Sequence, residues 1–143
     1  MTTYILDASV AAKWFLPASQ EPLASEALEL LREFSHGRSK LLVPDLFWPE
    51  FGNVLWKAVR GGRISQKAAQ ASIVAASQAD LDTRPSAPLL PNAFDIAVTL
   101  DRTVCDAIYV ALAVTTGAPL VTADEHLANA LAARFPVRWL GAL

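Results

Sequence analysis

Short apolar runs alternate with helix-patterned stretches from end to end, and no other feature limits the possible folds of this chain as much. The runs are YIL (4–6), KLLV (40–43), APLL (87–90), APLVT (118–122) and VRWL (137–140). Strand candidates separated by helices are the signature of an α/β domain with a largely parallel sheet. Between the first two runs, Leu23, Ala27, Leu30, Leu31 and Phe34 recur at helical spacing, with Pro22 suited to a first turn and Gly37 to an exit. The stretch 51–82 predicts two helices broken at Gly61 and Gly62, forming an antiparallel hairpin. Residues 83–92, TRPSAPLLPN, predict a loop around a short strand.

At 143 residues and 53% hydrophobic, with only 18% charged, the chain is expected to form one domain over 1–143 around a sizeable core. Cys105 has no second cysteine to pair with, and His36 and His126 are too few for a thiolate or imidazole zinc cage. A reducing cytoplasm suits such a composition. The opening MTTYILDASV lacks a basic leader, and no apolar stretch approaches the roughly eighteen residues of a membrane span, so neither export nor insertion is expected.

Four of the fourteen acids stand where a solvated face explains them poorly. Asp7 follows YIL directly, at the carboxyl end of a strand, where open α/β sheets bind ligands; it would equally serve as N-cap of a helix beginning at Ala8. Asp106 lies in CDAIYVALA (105–113), which reads as the start of a buried helix, and Thr103 three positions earlier would make it part of a capping box. Thr122 and Glu125 repeat that pattern and leave Asp124 in a first turn after a strand. Glu50 falls on the margin of the stripe Phe47, Phe51, Val54, Ala58, where an ordinary ion pair with Lys57 is the plain explanation.

Together the four say more than any one does. Strand-to-helix junctions of a doubly wound sheet open on one edge, so Asp7, Asp106 and Asp124 converge there despite their separation, and Glu50 joins them if its helix starts at that edge. Clustered carboxylates repel unless a cation offsets them, and oxygen ligands without Cys or His select Mg²⁺ or Mn²⁺. The net charge of −2 argues at first against nucleic acid. Setting the four acids aside, however, leaves ten acidic against twelve basic residues, a formal +2, with Lys57, Arg60, Arg63 and Lys67 clustered in KAVRGGRISQK.

YILDASVAAKWFL, PDLFWPEFGNVLWKA and CDAIYVALAVTTGAPLVTADEHL, in that order, resemble the PIN-domain family, and within it the VapC-like toxins of toxin–antitoxin pairs. The resemblance implies a three-layer α/β/α domain with a mainly parallel, roughly five-stranded sheet. It also implies a metal-dependent endoribonuclease holding Mg²⁺ or Mn²⁺. By position, Asp7, Glu50, Asp106 and Asp124 match the family's acids, with Asp7, Asp106 and Asp124 as metal ligands. Ser9, Asn53 and Thr122 match the polar residues that orient carboxylates or water. Cys105 stands where an aromatic is common in the family, and Pro49 precedes Glu50 in a helix that proline can delay. The resemblance further implies an RNA substrate, a VapB-like antitoxin that contacts operator DNA, and a homodimer, for which the apolar excess, including Trp14, Trp48, Trp56 and Trp139, leaves room, although tryptophans more often serve the core.

Two other classes compete. A phosphoacceptor domain would use a strand-end Asp beside Mg²⁺, but the chain lacks a second acid two residues after Asp7 and a suitable Lys after a late strand. A module acting only through protein partners leaves four acids without a purpose. A Ser9 nucleophile is rejected, since neither histidine sits in a triad-like motif.

Overall fold

A computed structural model describes all residues 1–143. Five parallel strands form one sheet: β1 (Thr2–Leu6), β2 (Ser39–Pro44), β3 (Asp82–Arg84), β4 (Leu120–Thr122) and β5 (Val137–Trp139). Their order is β3-β2-β1-β4-β5. The chain winds outward from β1 in one direction and returns to its other side with β4, so the switch point of this doubly wound sheet lies between β1 and β4. Seven helices flank the sheet: α1 (Ala8–Ala12), α2 (Ala24–Ser35), α3 (Phe47–Arg60), α4 (Gln66–Ser77), α5 (Leu90–Leu100), α6 (Val104–Thr116) and α7 (Glu125–Leu131).

The central strands are apolar because both of their faces are covered. Ile5, Leu6, Leu41, Val43, Leu120 and Val121 are all at most 1% exposed, as parallel strands between helices require. Helix α3 inserts Phe47, Phe51, Leu55 and Ala58 at i, i+4, i+8 and i+11; Phe47 and Phe51 stack with ring centroids 5.6 Å apart. Gly62 takes φ +73° after α3 and turns the chain into α4, as the Gly-Gly break predicts.

Three local expectations need correction. APLL (87–90) is not a strand: residues 87–89 form a 3-10 turn that runs into α5, and the edge strand is Asp82–Arg84 instead. Pro88 and Pro91 fall in first turns, where a missing N–H costs nothing, and Asp45 accepts hydrogen bonds from both the N–H and the hydroxyl of Ser86 just before the turn. Pro22 precedes α2 rather than starting it, and the cap is Leu23 at φ +60°. The start of α6 is not buried either: Cys105 is exposed and Asp106 half-buried, with burial beginning at Ala107.

Candidate active site at the carboxyl edge of the sheet

Asp7 ends β1 beside the switch point and caps α1, accepting the Ser9 N–H at Oδ1 (3.3 Å). Its other oxygen accepts the hydroxyl proton of Thr122 (3.1 Å). Thr122 is fully buried at the end of β4, and its hydroxyl oxygen in turn accepts the Asp124 N–H (3.1 Å). Asp124 then caps α7 by accepting the Leu127 N–H (3.0 Å). The cap of α7 is thus Asp124 and not Thr122 as the sequence pattern suggests. Thr122 instead ties two strand-end acids into one chain of hydrogen bonds across the switch point.

Glu50 enters from the first turn of α3. Pro49 lies one residue before it within that turn, where it disturbs no helical bond, so α3 starts at Phe47 without delay. Glu50 forms no ion pair with Lys57. Its partner is Tyr109 of α6, whose buried hydroxyl donates to Glu50 Oε1 at 2.7 Å. Asp106 sits in the first turn of α6, its N–H held by the Thr103 hydroxyl (3.2 Å) as the capping pattern predicts.

Asp7, Ser9, Glu50, Asn53 and Lys57 line one open cleft of about 280 Å³. Asp106 and Asp124 lie outside its lining, yet Asp106 is near enough to act on the charge of both Asp7 and Glu50. Burial, above all, pushes the Asp7 carboxyl above the usual carboxylate range, and Asp106 adds to it; the Ser9 N–H and the Thr122 hydroxyl oppose the shift. Glu50 is pushed up for the same first reason, with Asp7 and Asp106 adding repulsion and the Tyr109 hydroxyl opposing. The Tyr109 phenol is itself held far above its ordinary value by burial and by the Asp7 and Glu50 charges, with the Ala8 N–H opposing, so it stays protonated and donates to Glu50.

None of the four acids takes part in an ion pair; every ion pair in the molecule involves Glu21, Glu29 or Asp82. As the side chains stand, no three acids converge closely enough to enclose a metal ion. The donor set nevertheless fits a hard divalent cation. Mutually repelling, unpaired carboxylates share a cleft, and Mg²⁺ is commonly held by one or two carboxylates with the rest of its shell left to water and substrate. Ser9 Oγ is buried and makes no hydrogen bond of ordinary geometry, although it stands near enough to the Asp7 carboxyl to help hold its pKa down, a polar atom that a ligand or a water would satisfy.

The sequence brings Asp7, Asp106 and Asp124 to one edge with Glu50 joining them; the structure puts Asp7 and Glu50, with Ser9 and Asn53, in one cleft and leaves Asp106 and Asp124 outside its lining. Tyr109 was missed. Its signal was present: a phenol among small aliphatic side chains in a buried helix, three residues after Asp106, needs a polar partner.

The family model for the PIN domain matches residues 4–131. A ribonuclease from Pyrobaculum aerophilum, VapC3, is 32% identical over 127 residues, 87% of this chain and 92% of that protein. Among solved structures, PAE2754 from Pyrobaculum aerophilum superimposes with TM-score 0.71 at 25% identity, covering 99% of this chain and 85% of the other. A toxin–antitoxin complex from Klebsiella pneumoniae shares the fold at TM-score 0.62 and 17% identity, covering 94% of this chain and 95% of the other.

Proposed function

The chain belongs to the PIN-domain family, and from that membership we propose that it is a VapC-type endoribonuclease. In this reading it is the toxin of a toxin–antitoxin pair, one domain over 1–143 that hydrolyses RNA phosphodiester bonds with Mg²⁺ or Mn²⁺. The observation that carries it is the cleft where Asp7 and Glu50, unpaired with any cation and raised by burial and by Asp106, stand together beside the buried Ser9 hydroxyl. The similarity to a ribonuclease over most of both chains gives that chemistry its substrate class.

Asp7, Asp106 and Asp124 would hold the ion, directly or through water. When bound, it would neutralise the acids, acidify a water and offset charge on the phosphate. Ser9 and Thr122 fix the Asp7 carboxylate through the bonds described, so it does not turn away when the cleft is hydrated. Glu50, tethered by Tyr109 at one oxygen, keeps the other free to hold a second ion or to take the proton of the attacking water, a task its raised pKa suits. Asn53, one turn further along α3, presents an amide to water or to a phosphate oxygen.

The antitoxin in this reading is a VapB-like protein, through which alone operator DNA is contacted, and the compartment is the cytoplasm. No helix is long and apolar enough to cross a membrane. The homodimer implied by the resemblance has surface available in α5, where Leu90, Phe94 and Val98 at i, i+4 and i+8 are 50–69% exposed. Light scattering at micromolar concentration that finds only monomer would count against it.

The decisive experiment incubates antitoxin-free protein and its Asp7→Asn variant with a mixed RNA pool, with Mg²⁺, with Mn²⁺ and with chelator. Cleavage that needs metal and that the folded variant lacks is the expected result. A fully active, folded Asp7→Asn protein would overturn the site assignment.

A further inference from the structure

Helix α3 carries more than Glu50 on its open side. Glu50, Asn53, Lys57 and Arg60 follow at i, i+3, i+7 and i+10, which puts them on one face of the helix. Trp56 stands beside that face, one turn from Asn53 and one from Arg60. Asn53, Trp56, Lys57 and Arg60 are all exposed, and Trp56 is unusually so for an indole, at 54%. The cleft that holds Asp7 and Glu50 extends as far as Lys57.

The basic residues of this region differ in their availability. Arg63 is spent on Glu21, and Lys13 on the same carboxylate. Lys57 and Arg60 have no carboxylate within ion-pair distance. Arg60 instead lies over the Trp56 ring, its guanidinium carbon 5.3 Å from the centroid. A helix rises about 1.5 Å per residue, so Lys57 stands about 10 Å along the axis from Glu50. It is therefore placed for a phosphate other than the one being cleaved.

Resting on the ribonuclease reading above, we infer that the exposed face of α3 is the track for one single-stranded flank of the RNA. Lys57 holds a phosphate next to the scissile one, and the Trp56–Arg60 pair forms a platform on which a base of that flank stacks. Two facts on the molecule support this occupant. The free charge is cationic and continuous with the acidic cleft, which suits a polyanion crossing from one to the other. An exposed indole beside an unpaired guanidinium offers stacking and a positive charge together, the combination that binds single strands without regard to sequence. The acids of the cleft receive the metal, and the cations beyond it offset the neighbouring phosphates.

The test uses a fluorescein-labelled pool of single-stranded RNA bound to the cleavage-deficient Asp7→Asn protein, with Lys57→Gln, Trp56→Ala or Arg60→Gln added, and affinity read against salt. Lys57→Gln is expected to lower the slope of log affinity against log salt by about 0.7, the loss of one single-strand phosphate contact. Trp56→Ala is expected to weaken binding about tenfold or more and leave the slope unchanged, and Arg60→Gln to change both. Arg38→Gln, an exposed cation just before β2 at the amino edge of the sheet, opposite the cleft, is the comparison and should change neither. In the cleaving protein, Lys57→Gln raises KM several-fold and leaves kcat nearly intact, a split that a folding defect would not give.

Wild-type cleavage of the same pool is measured alongside. No cleavage by wild type, with the slope change intact, would refute the ribonuclease reading and keep the track as an RNA-binding surface. Cleavage with slope, affinity and KM unchanged in all three variants would overturn the track. If Trp56→Ala abolished only association with a protein partner, this face would belong to that partner and the inference would equally fail.

Discussion

Replacing Tyr109 by Phe removes one oxygen from the site and keeps its outline. The Tyr109 side chain is 4% exposed, and Phe fills nearly the same volume in the same rotamers, so packing is preserved. What is lost is the hydrogen bond donated to Glu50 Oε1 at 2.7 Å. A hydrogen bond to a charged group contributes about 1.5–3 kcal/mol. Because Glu50 is half-open to the cleft, water replaces part of that, leaving about 1–2 kcal/mol as the loss of positioning. Phe also leaves the buried Ala8 N–H without the Tyr109 oxygen as acceptor, so the melting temperature should fall by several degrees. The activity should fall more, since about 1–2 kcal/mol in the transition state is roughly five- to thirtyfold in kcat. The sign of the pH effect follows from the same bond. The Tyr109 hydroxyl favours the charged carboxylate, whereas burial, Asp7 and Asp106 disfavour it; without the hydroxyl the Glu50 pKa rises further. If Glu50 works ionised, the acidic limb of kcat/KM moves to higher pH in the variant, and part of the lost rate returns above it. Initial rates across pH on a cleavable RNA, with a thermal melt on the same preparation, measure both. An unmoved limb with normal rates would refute the argument that Tyr109 sets the position and charge of Glu50.

Burial holds the Asp7 carboxyl above its unfolded pKa, so Asp7's own contribution to the stability of the metal-free protein is greatest below that unfolded value and is lost as pH rises through the folded one. Asp7→Asn should therefore raise the melting temperature at neutral pH in chelator, and it should also cancel the rise expected when Mn²⁺ is added to the wild type; paired melts with and without EDTA check both. Thr122→Val keeps the shape but strips the hydroxyl that serves Asp7 and Asp124, so urea unfolding should show a loss of about 1–3 kcal/mol. Cleavage should drop about tenfold or more, and a stable, fully active variant would break the proposed link. A Cβ at Gly141 would meet the Trp139 ring at 2.5–2.7 Å, so Gly141→Ala should cost about 1–3 kcal/mol in denaturant titration. Its specific activity well below the melting point should be unchanged.

What the sequence makes legible is what its own local chemistry specifies. The strands β1, β2 and β4 announce themselves through buried apolar runs, and β5 through Val137 and Trp139 on either side of an exposed Arg138. The acids Asp7 and Asp106 announce themselves because a strand end and a capping Thr mark their places. Two elements escape for opposite reasons. β3 is DTR, an edge strand bonded on one side only, in which Arg84 and Lys40 engage Asp82; its stability comes from ion pairs and a neighbour, and no apolar period records it. α5 escapes because its large apolar residues are on the wrong side for pattern reading. Ala93 and Ala97 face the core, where α6 packs close, and Leu90, Phe94 and Val98 face solvent. The Tyr109–Glu50 bond spans 59 residues, and only the folded packing of α3 against α6 brings its partners together.

The acids of this site divide by what holds them. Asp7 and Asp124 are helix caps, each accepting a backbone N–H from the helix it begins, and Asp106 occupies a first turn, where the helix N-terminus favours a negative charge. In Asp7 and Asp124 the bonds that build the fold also aim the carboxylate, so truncating either to Ala disturbs structure and chemistry at once. Glu50 and Asn53 cap nothing. Glu50 is held by one tertiary hydrogen bond, and Asn53 is exposed on the cleft wall. Glu50→Gln and Asn53→Ala therefore leave the strand-to-helix junctions intact, and a loss of cleavage in either would report on the reaction alone, whereas the same loss in Asp124→Ala would mix the reaction with an uncapped α7. Asp7→Asn avoids that mixing because Asn keeps a capping oxygen for the Ser9 N–H, so it and the two α3 variants test the chemistry, and alanine at the strand-end acids then shows how the fold supports it.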